Sequence, residues 1–229
     1  MKRIIIIVLL LAAVGNGVSA QWAVGLHLGG NSTTISRYDG GRMDEQYSSM
    51  GGFEAGVSGS YRINDWLTVR AGLDYMQRSH RMDRNLNYLD PVYTEHHNHY
   101  LLLPVEADFS FGGQRLRGHL LMGLYGAYWM AERHNGVTYW MTDYYVYFED
   151  FDQQREMNEY DQRLVGGVSI GTGLSYAVSP AWQIGLEAAY RYDLTSHHKG
   201  NTHLADPRYL NTLSFTLRVD YKLFNNSEK

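Results

Sequence analysis

Two histidine-rich stretches carry the residue types best suited to hold a metal ion: Glu95, His96, His97 and His99 in "EHHNHY", and His197, His198 and His203 in "SHHKGNTH". Imidazole nitrogens and carboxylates are the ligands a zinc site draws on, commonly four in a tetrahedron. Neighbouring residues of one loop rarely converge on a single ion, and no supporting framework can be read around them. Polar surface loop is therefore the plainer reading, with His96, His97, His99, His197 and His198 kept as candidate ligands. Ser79-His80 and Ser196-His197 supply the residue types of an acyl-transfer nucleophile and its base, but adjacency does not place a base against a hydroxyl. No nucleophile elbow, phosphate loop or dinucleotide fingerprint stands in a fitting context, so the chain reads as non-enzymatic and without a cofactor.

A larger constellation is ionic. Glu54, Asp74, Glu106, Asp108, Glu187, Asp193 and Asp220 share one parity of alternating segments with Arg62, Arg70, Arg78, Arg163, Arg191, Arg218 and Lys222. Seven acids facing seven bases suit an enclosed, nearly neutral interior, because a buried charge without a partner is costly.

The elements that must position these groups are strands. In "AWQIGLEAAYRYDL" Trp182, Ile184, Leu186, Ala188, Tyr190 and Tyr192 alternate with Gln183, Gly185, Glu187, Ala189, Arg191 and Asp193. The same period of two marks eight segments, at 21–31, 51–62, 66–78, 99–111, 117–131, 161–176, 181–193 and 209–224. Strand five, "HLLMGLYGAYWM", is apolar on both parities, which leaves its register open. Pro104, inside strand four, lacks a ladder donor and predicts a bulge or a lost bond nearby.

Connections alternate in length. Asn64-Asp65, "GGQRL" and "AVSPA" are short turns, whereas 32–50, 79–98, 132–160 and 194–208 are long and polar. Short turns at one end and long loops at the other predict an all-β fold, an eight-stranded antiparallel up-and-down transmembrane β-barrel with both termini on the short-turn side. A barrel of eight strands leaves room only for side chains, so a filled interior is expected over a narrow porin-like channel.

Aromatic placement is independent of that count. Trp22, Tyr61, Trp66, Phe111, Tyr176, Trp182, Tyr221 and Phe224 fall at the short-turn ends of strands. Tyr75, Tyr100, Trp129, Tyr190, Tyr192 and Tyr209 fall at the opposite ends. Two aromatic girdles flanking an aliphatic band match the two interfaces of a membrane. A soluble lipocalin-like carrier would need the reverse, an apolar interior and a water-compatible exterior.

The first 20 residues, "MKRIIIIVLLLAAVGNGVSA", run from basic through apolar to small residues and predict a secretory signal cleaved after Ala20, leaving 21–229 as one domain. Beyond it no apolar run is long enough for a membrane helix. Removing Lys2 and Arg3 leaves 18 basic against 24 acidic residues, so the net charge falls from −4 to −6. That balance argues against a nucleic-acid partner. The absence of cysteine excludes a lipoprotein anchor, disulfides and thiol chemistry.

The stretches "YLLLPVEADFSF", "GLYGAYW", "DQRLVGGVSIGTGLSY", "IGLEAAYRYDL" and "NTLSFTLRVDYKLF" resemble the PorT-like outer-membrane β-barrel family of Gram-negative bacteria across most of the chain. The resemblance implies an integral protein of the cell outer membrane, surrounded by lipid and lipopolysaccharide, and a structural or interaction role accessory to secretion or envelope integrity. Residues 132–160 interleave tyrosines with carboxylates, a composition suited to a protein or glycan partner or to a hairpin extending the barrel. A monomeric barrel is expected.

Overall fold

The computed structural model describes residues 21–37, 45–84, 92–143, 145–197 and 208–223; the predicted signal segment and the positions of His198, His203 and Phe224 lie outside these residues. Among the described residues nine strands follow one another: β1 (Gln21–Arg37), β2 (Glu45–Arg62), β3 (Leu67–Arg84), β4 (Tyr93–Gly112), β5 (Leu116–Met141), β6 (Val146–Arg155), β7 (Leu164–Ala177), β8 (Trp182–Asp193) and β9 (Arg208–Lys222). All pairings are antiparallel. β1 pairs with β9 and β4 with β5, so every strand but β6 belongs to one closed ring.

The count of eight is thus corrected to nine. The extra strand comes from 132–160, which realises the hairpin alternative for that long connection: β5 runs for 26 residues, turns where Thr142 N donates to Tyr145 O (2.9 Å), and returns as β6. The described parts of the segments 32–50 and 79–98 are also nearly all strand, with β1 and β9 in register from Ala23↔Lys222 to Arg37↔Arg208. Past the apolar band both faces of a strand are polar and the period-two signal disappears. Backbone N–H and C=O groups must still be paired, so the ladder continues where the hydropathy pattern stops.

Short turns are built locally. Asn64 Oδ1 accepts from Trp66 N and Leu67 N (3.0 and 2.8 Å), the side-chain turn that Asn favours. Gly112 adopts φ 115° to open the β4–β5 turn, a conformation that costs glycine little. Ser179 Oγ accepts from Trp182 N at the entry to β8 (3.1 Å).

Side chains alternate as the pleat requires. Leu26, Leu28, Val57, Leu73, Leu103, Val105, Ile170, Leu174, Leu186, Phe215 and Leu217 are exposed on the outer wall. Strand five resolves with Leu120, Met122 and Leu124 outward, and Leu121, Tyr125 and Ala127 inward. At Pro104 no bulge forms: β3 and β4 keep one register from Ala71↔Val105 to Asp74↔Leu102, and the pairs between them lapse. The missing amide hydrogen interrupts the ladder without displacing it.

Candidate functional site

Ionic groups pack through the middle of the ring. Arg70 Nη1 donates to Glu187 Oε1 (2.9 Å) and its Nη2 to Asp108 Oδ2 (3.1 Å). His119 bridges Asp108 and Ser175 (2.8 and 2.6 Å). Arg191 Nη1 donates to Glu54 Oε2 (2.9 Å) and Ser214 Oγ (2.8 Å), while Arg218 Nε donates to Asp220 and its Nη2 to Ser58. His27 stands 3.4 Å from Asp74, and Ser169 Oγ donates to Glu106 (3.1 Å). Glycine makes the space: a Cβ on Gly25 would lie 2.2 Å from Asp220 Oδ1, and one on Gly56 2.2 Å from Asp74 Oδ1. Cavities of about 50 and 30 Å³ remain in this layer, the first lined in part by Arg62 and Lys222 at the short-turn end.

Arg163 departs from this set. It is exposed outside the ring, where its Nη1 donates to Tyr128 Oη (2.9 Å). It precedes β7, so the alternation inside that strand does not govern it.

An aromatic layer closes the long-strand end. Met76, Tyr100, Leu102, Tyr125, Ala127, Trp129, Val165 and Leu210 form the buried apolar cluster. Tyr100 and Trp129, expected on the outer girdle, are therefore corrected to the interior. Tyr100 shares the inward parity of Leu102, and the strand-end position that suggested a girdle does not override the pleat. Arg78 is wholly buried here, held by Asp193 (2.9 Å) and lying over the rings of Tyr100 and Tyr125 (5.2 and 5.5 Å). Tyr125 Oη also donates to Asp193, and His197 bridges Asp193 and Tyr100 (2.8 and 3.0 Å).

The remaining aromatics lie on the outer wall in two groups. Trp22 and Tyr61 (4.9 Å), Trp182 and Tyr221 (4.8 Å), and Trp66 and Phe109 (6.0 Å) pair at the short-turn end, with Phe111 and Tyr176 exposed beside them. Phe53 and Tyr75 (5.4 Å) pair towards the other end, where Tyr190 and Tyr192 are exposed; Tyr209 is half-buried further along β9.

Beyond the aromatic layer a cavity of about 260 Å³ is lined by His80, His96, Asn98, Glu132, His134 and Arg155, with Trp129 and Tyr100 as its floor. A bulge assembles it. Tyr100 pairs with Trp129 but His99 with Ala131, so Met130 is the extra residue on β5. Trp129 points inward, and after the bulge Glu132 and His134 do too, although their parity is opposite. His134 then faces His96, which in turn faces His80 across β3.

The geometry is tight. His96 Nδ1 bonds Glu132 Oε1 (2.9 Å), and His134 Nε2 stands 2.7 Å from the same oxygen, with its N–H direction off the bonding line. Arg155 Nη1 donates to Glu132 Oε2 (2.7 Å) and its Nη2 to Asp161 Oδ1 (2.8 Å). Burial pushes the Glu132 carboxyl up, but His134, His96 and Arg155 outweigh it and hold the group below the usual carboxylate range. The His80 ring stacks on His96 (4.6 Å, 3°), and His96 meets His134 edge-on (4.3 Å, 68°).

Of the candidate metal ligands among the described residues, His96 enters this cluster; His197 lines the same cavity from its floor, bonded to Asp193 and Tyr100, and His80 stacks on His96. His97 Nδ1 contacts Ser79 Oγ (3.0 Å) and Gln77 Nε2 (3.1 Å), and His99 Nδ1 contacts Tyr75 Oη (2.5 Å). Glu95 accepts from Asn135 (2.9 Å). Ser79 is thus joined to His97 and not to its neighbour His80; its side chain is fully buried, and His97 Nε2 is 3.7 Å from Glu95, beyond hydrogen-bond reach. Glu132 and His134 escaped the sequence reading because both sit in a segment read as loop, behind a parity shift that no residue type announces.

Above the cavity the β5–β6 hairpin stands clear of the ring. β6 pairs with β5 alone, and Trp140, Met141, Tyr145, Tyr147 and Phe148 are exposed near its tip. Arg133 and Asp152 form a two-bond ion pair across it (2.6 and 2.5 Å).

A family model described as outer membrane protein beta-barrel domain matches residues 16–199. Among solved structures the chain is similar to Neisserial surface protein A, with 20% identity over 88% of this chain and 99% of that one and a TM-score of 0.41. It is similar to OprG from Pseudomonas aeruginosa (12% identity, 89% and 97% coverage, TM-score 0.48) and to Ail, the attachment invasion locus protein of Yersinia pestis (14%, 88% and 98%, TM-score 0.39). No curated protein matches it.

Proposed function

The chain belongs to the outer membrane protein β-barrel domain family, a family of the Gram-negative outer membrane, and from that premise we propose that it is a PorT-like barrel, its ring of eight of the nine strands filled by side chains, that presents the β5–β6 hairpin to a partner at the cell surface. Its role is non-enzymatic, that of an interaction protein accessory to secretion or envelope integrity. Residues 1–20 serve as the cleaved signal, the short turns face the periplasm, and the two aromatic groups on the outer wall sit at the lipid interfaces.

The hairpin carries this reading. Six large apolar or aromatic side chains are exposed within ten residues of strand and turn, on an element that rises from the ring and whose outer edge is unpaired among the described residues. Aromatic side chains that bury large areas with little loss of rotamer freedom are the usual anchors of recognition sites. Carboxylates at Glu149 and Asp150 follow them directly on β6 and favour a partner with basic or hydroxyl-rich groups. The charged ring interior supports a structural role for the lumen, and it is the reverse of what a soluble carrier of apolar ligands needs.

Replacing residues 140–151 with a short Gly/Ser turn tests the reading. The ring should still assemble, while cross-linking of the intact cell surface should lose the partner captured by the unaltered protein. Identical cross-links from both chains would refute the proposal.

A further inference from the structure

We propose that His96, Glu132 and His134 form a binding site for a transition-metal ion of the zinc type at the outer mouth of the ring. This goes beyond the hairpin's role and does not depend on a surface partner.

Donor chemistry is the first support. Two imidazoles and one carboxylate are a ligand set that zinc accepts with a fourth position left to water. One ligand atom from each residue lies within 4.8 Å of the others. Ligands about 2.0–2.2 Å from one tetrahedral ion stand roughly 3.3 Å apart, so side-chain rotations that change the separations by no more than about 1.5 Å close the site. His134 Nε2 is buried 2.7 Å from the carboxylate without completing a hydrogen bond to it, so it is a polar atom aimed into the cavity whose bonding capacity is unused.

The surroundings meet the remaining demands. Arg155 fixes the far oxygen of Glu132, and His80 stacked on His96 fixes that ring, which are the supports that first-contact ligands need. Charge balances as well. Glu132 and Asp161 against Arg155 leave one excess negative charge, and neutral imidazoles add none, so a dication is received by an anionic pocket. On binding, the His96 Nδ1 proton passes by exchange with water to the other ring nitrogen, so the imidazole stays neutral and Nδ1 is free to ligate. The cavity of about 260 Å³ holds the water that completes the tetrahedron. All three ligands project from paired strands, so the objection to ligands clustered on a single loop does not apply.

Location adds the last point. His96 lies five residues outward from Leu101 on β4, roughly 17 Å along the strand. That places the site above the lipid-facing wall, where aqueous ions reach it.

The test is calorimetric titration of the tag-free full chain, folded in detergent and stripped with chelator, using zinc chloride. One equivalent should bind. His96→Ala and His134→Ala should each weaken binding by more than the roughly tenfold to hundredfold that loss of a supporting residue costs. His97→Ala, whose side chain points away from the cavity, should bind as the parent does. Each variant is checked for heat-modifiable gel migration. Should one fail to fold, cobalt absorption of the unaltered chain decides: an intense tetrahedral band saturating at one equivalent supports the site. A faint octahedral spectrum, no zinc uptake, or uptake unchanged in both folded histidine variants overturns it.

Discussion

Arg78 and Asp193, 115 residues apart in the chain, meet at 2.9 Å inside the ring with neither side chain reached by solvent. Tyr125 and His197 converge on the same carboxylate, so this one pair ties β3, β5, β8 and the segment after β8 into a single knot. Removing one member strands the other charge where water cannot solvate it. Arg78→Met should therefore lower stability by about 3–5 kcal/mol, read from urea unfolding of the detergent-folded protein. In an Asp193→Asn background the same replacement should cost markedly less, because no buried anion is then left alone. Equal losses in the two backgrounds would show that the pair is not coupled.

Ion conduction is the second point at which the interior can be tested. Arg70, Arg191 and Arg218 each reach across the lumen to acids or hydroxyls on other strands, and the spaces left between them are about 50 and 30 Å³. Those volumes hold a water or two but give hydrated ions no continuous path. Purified protein in planar bilayers should give no steady conductance above the lipid baseline. Stable unitary steps would mean that the network opens in the membrane.

How far this was legible in the sequence depends on which physical signal each residue obeyed. Leu186, Glu187 and Arg191 were readable because β8 is a plain alternating strand, and one face of it is uniformly apolar. The inward placement of Arg70, Asp108 and Arg218 follows from the same rule. Tyr100 and Trp129 were misplaced because interface preference was weighed above parity. β6 lies outside the eight alternating segments because an aqueous hairpin needs no apolar face, although the composition of 132–160 already suited a hairpin extending the barrel. Glu132 and His134 could not be found at all: the bulge at Met130 reverses the parity of β5, and its cause lies in pairing with β4, not in any local pattern. Cross-strand position, which sets His80, His96 and His134 in one row, becomes visible only once register is known.

That bulge makes a prediction of its own. Met130 is the one residue of β5 without a partner on β4 between Trp129 and Ala131, so deleting it should restore a regular ladder and leave Trp129, Glu132 and His134 all facing inward. Deleting Tyr128, which pairs with Leu101 and Leu164, should instead shift part of the strand by one position and exchange its two faces. The shortened chain lacking Met130 should reach the outer membrane as a heat-modifiable band, and the one lacking Tyr128 should not. Equal assembly of the two would mean that β5 slides freely and that the bulge does not set the position of the cavity residues.

The two faces of β8 give the sharpest test of which side meets lipid. Leu186 lies on the outer wall with 65% of its surface exposed, flanked by Leu174 and Leu217 on the neighbouring strands. Gln183, three residues earlier and on the opposite face, donates to Ser175 Oγ (2.7 Å) and borders the cavity that also holds Asp108, Glu187 and Asp220. Arginine at Leu186 must lay its charge along the acyl chains, at a cost of about 2–4 kcal/mol near the midplane. Arginine at Gln183 enters a polar cavity with carboxylates within reach and loses far less. Leu186→Arg should thus reduce the folded, membrane-extracted fraction more than Gln183→Arg, as measured by unboiled gel migration of outer-membrane fractions. If Gln183→Arg proves the more damaging, the apolar wall of β8 faces inward and the ring is inverted relative to lipid.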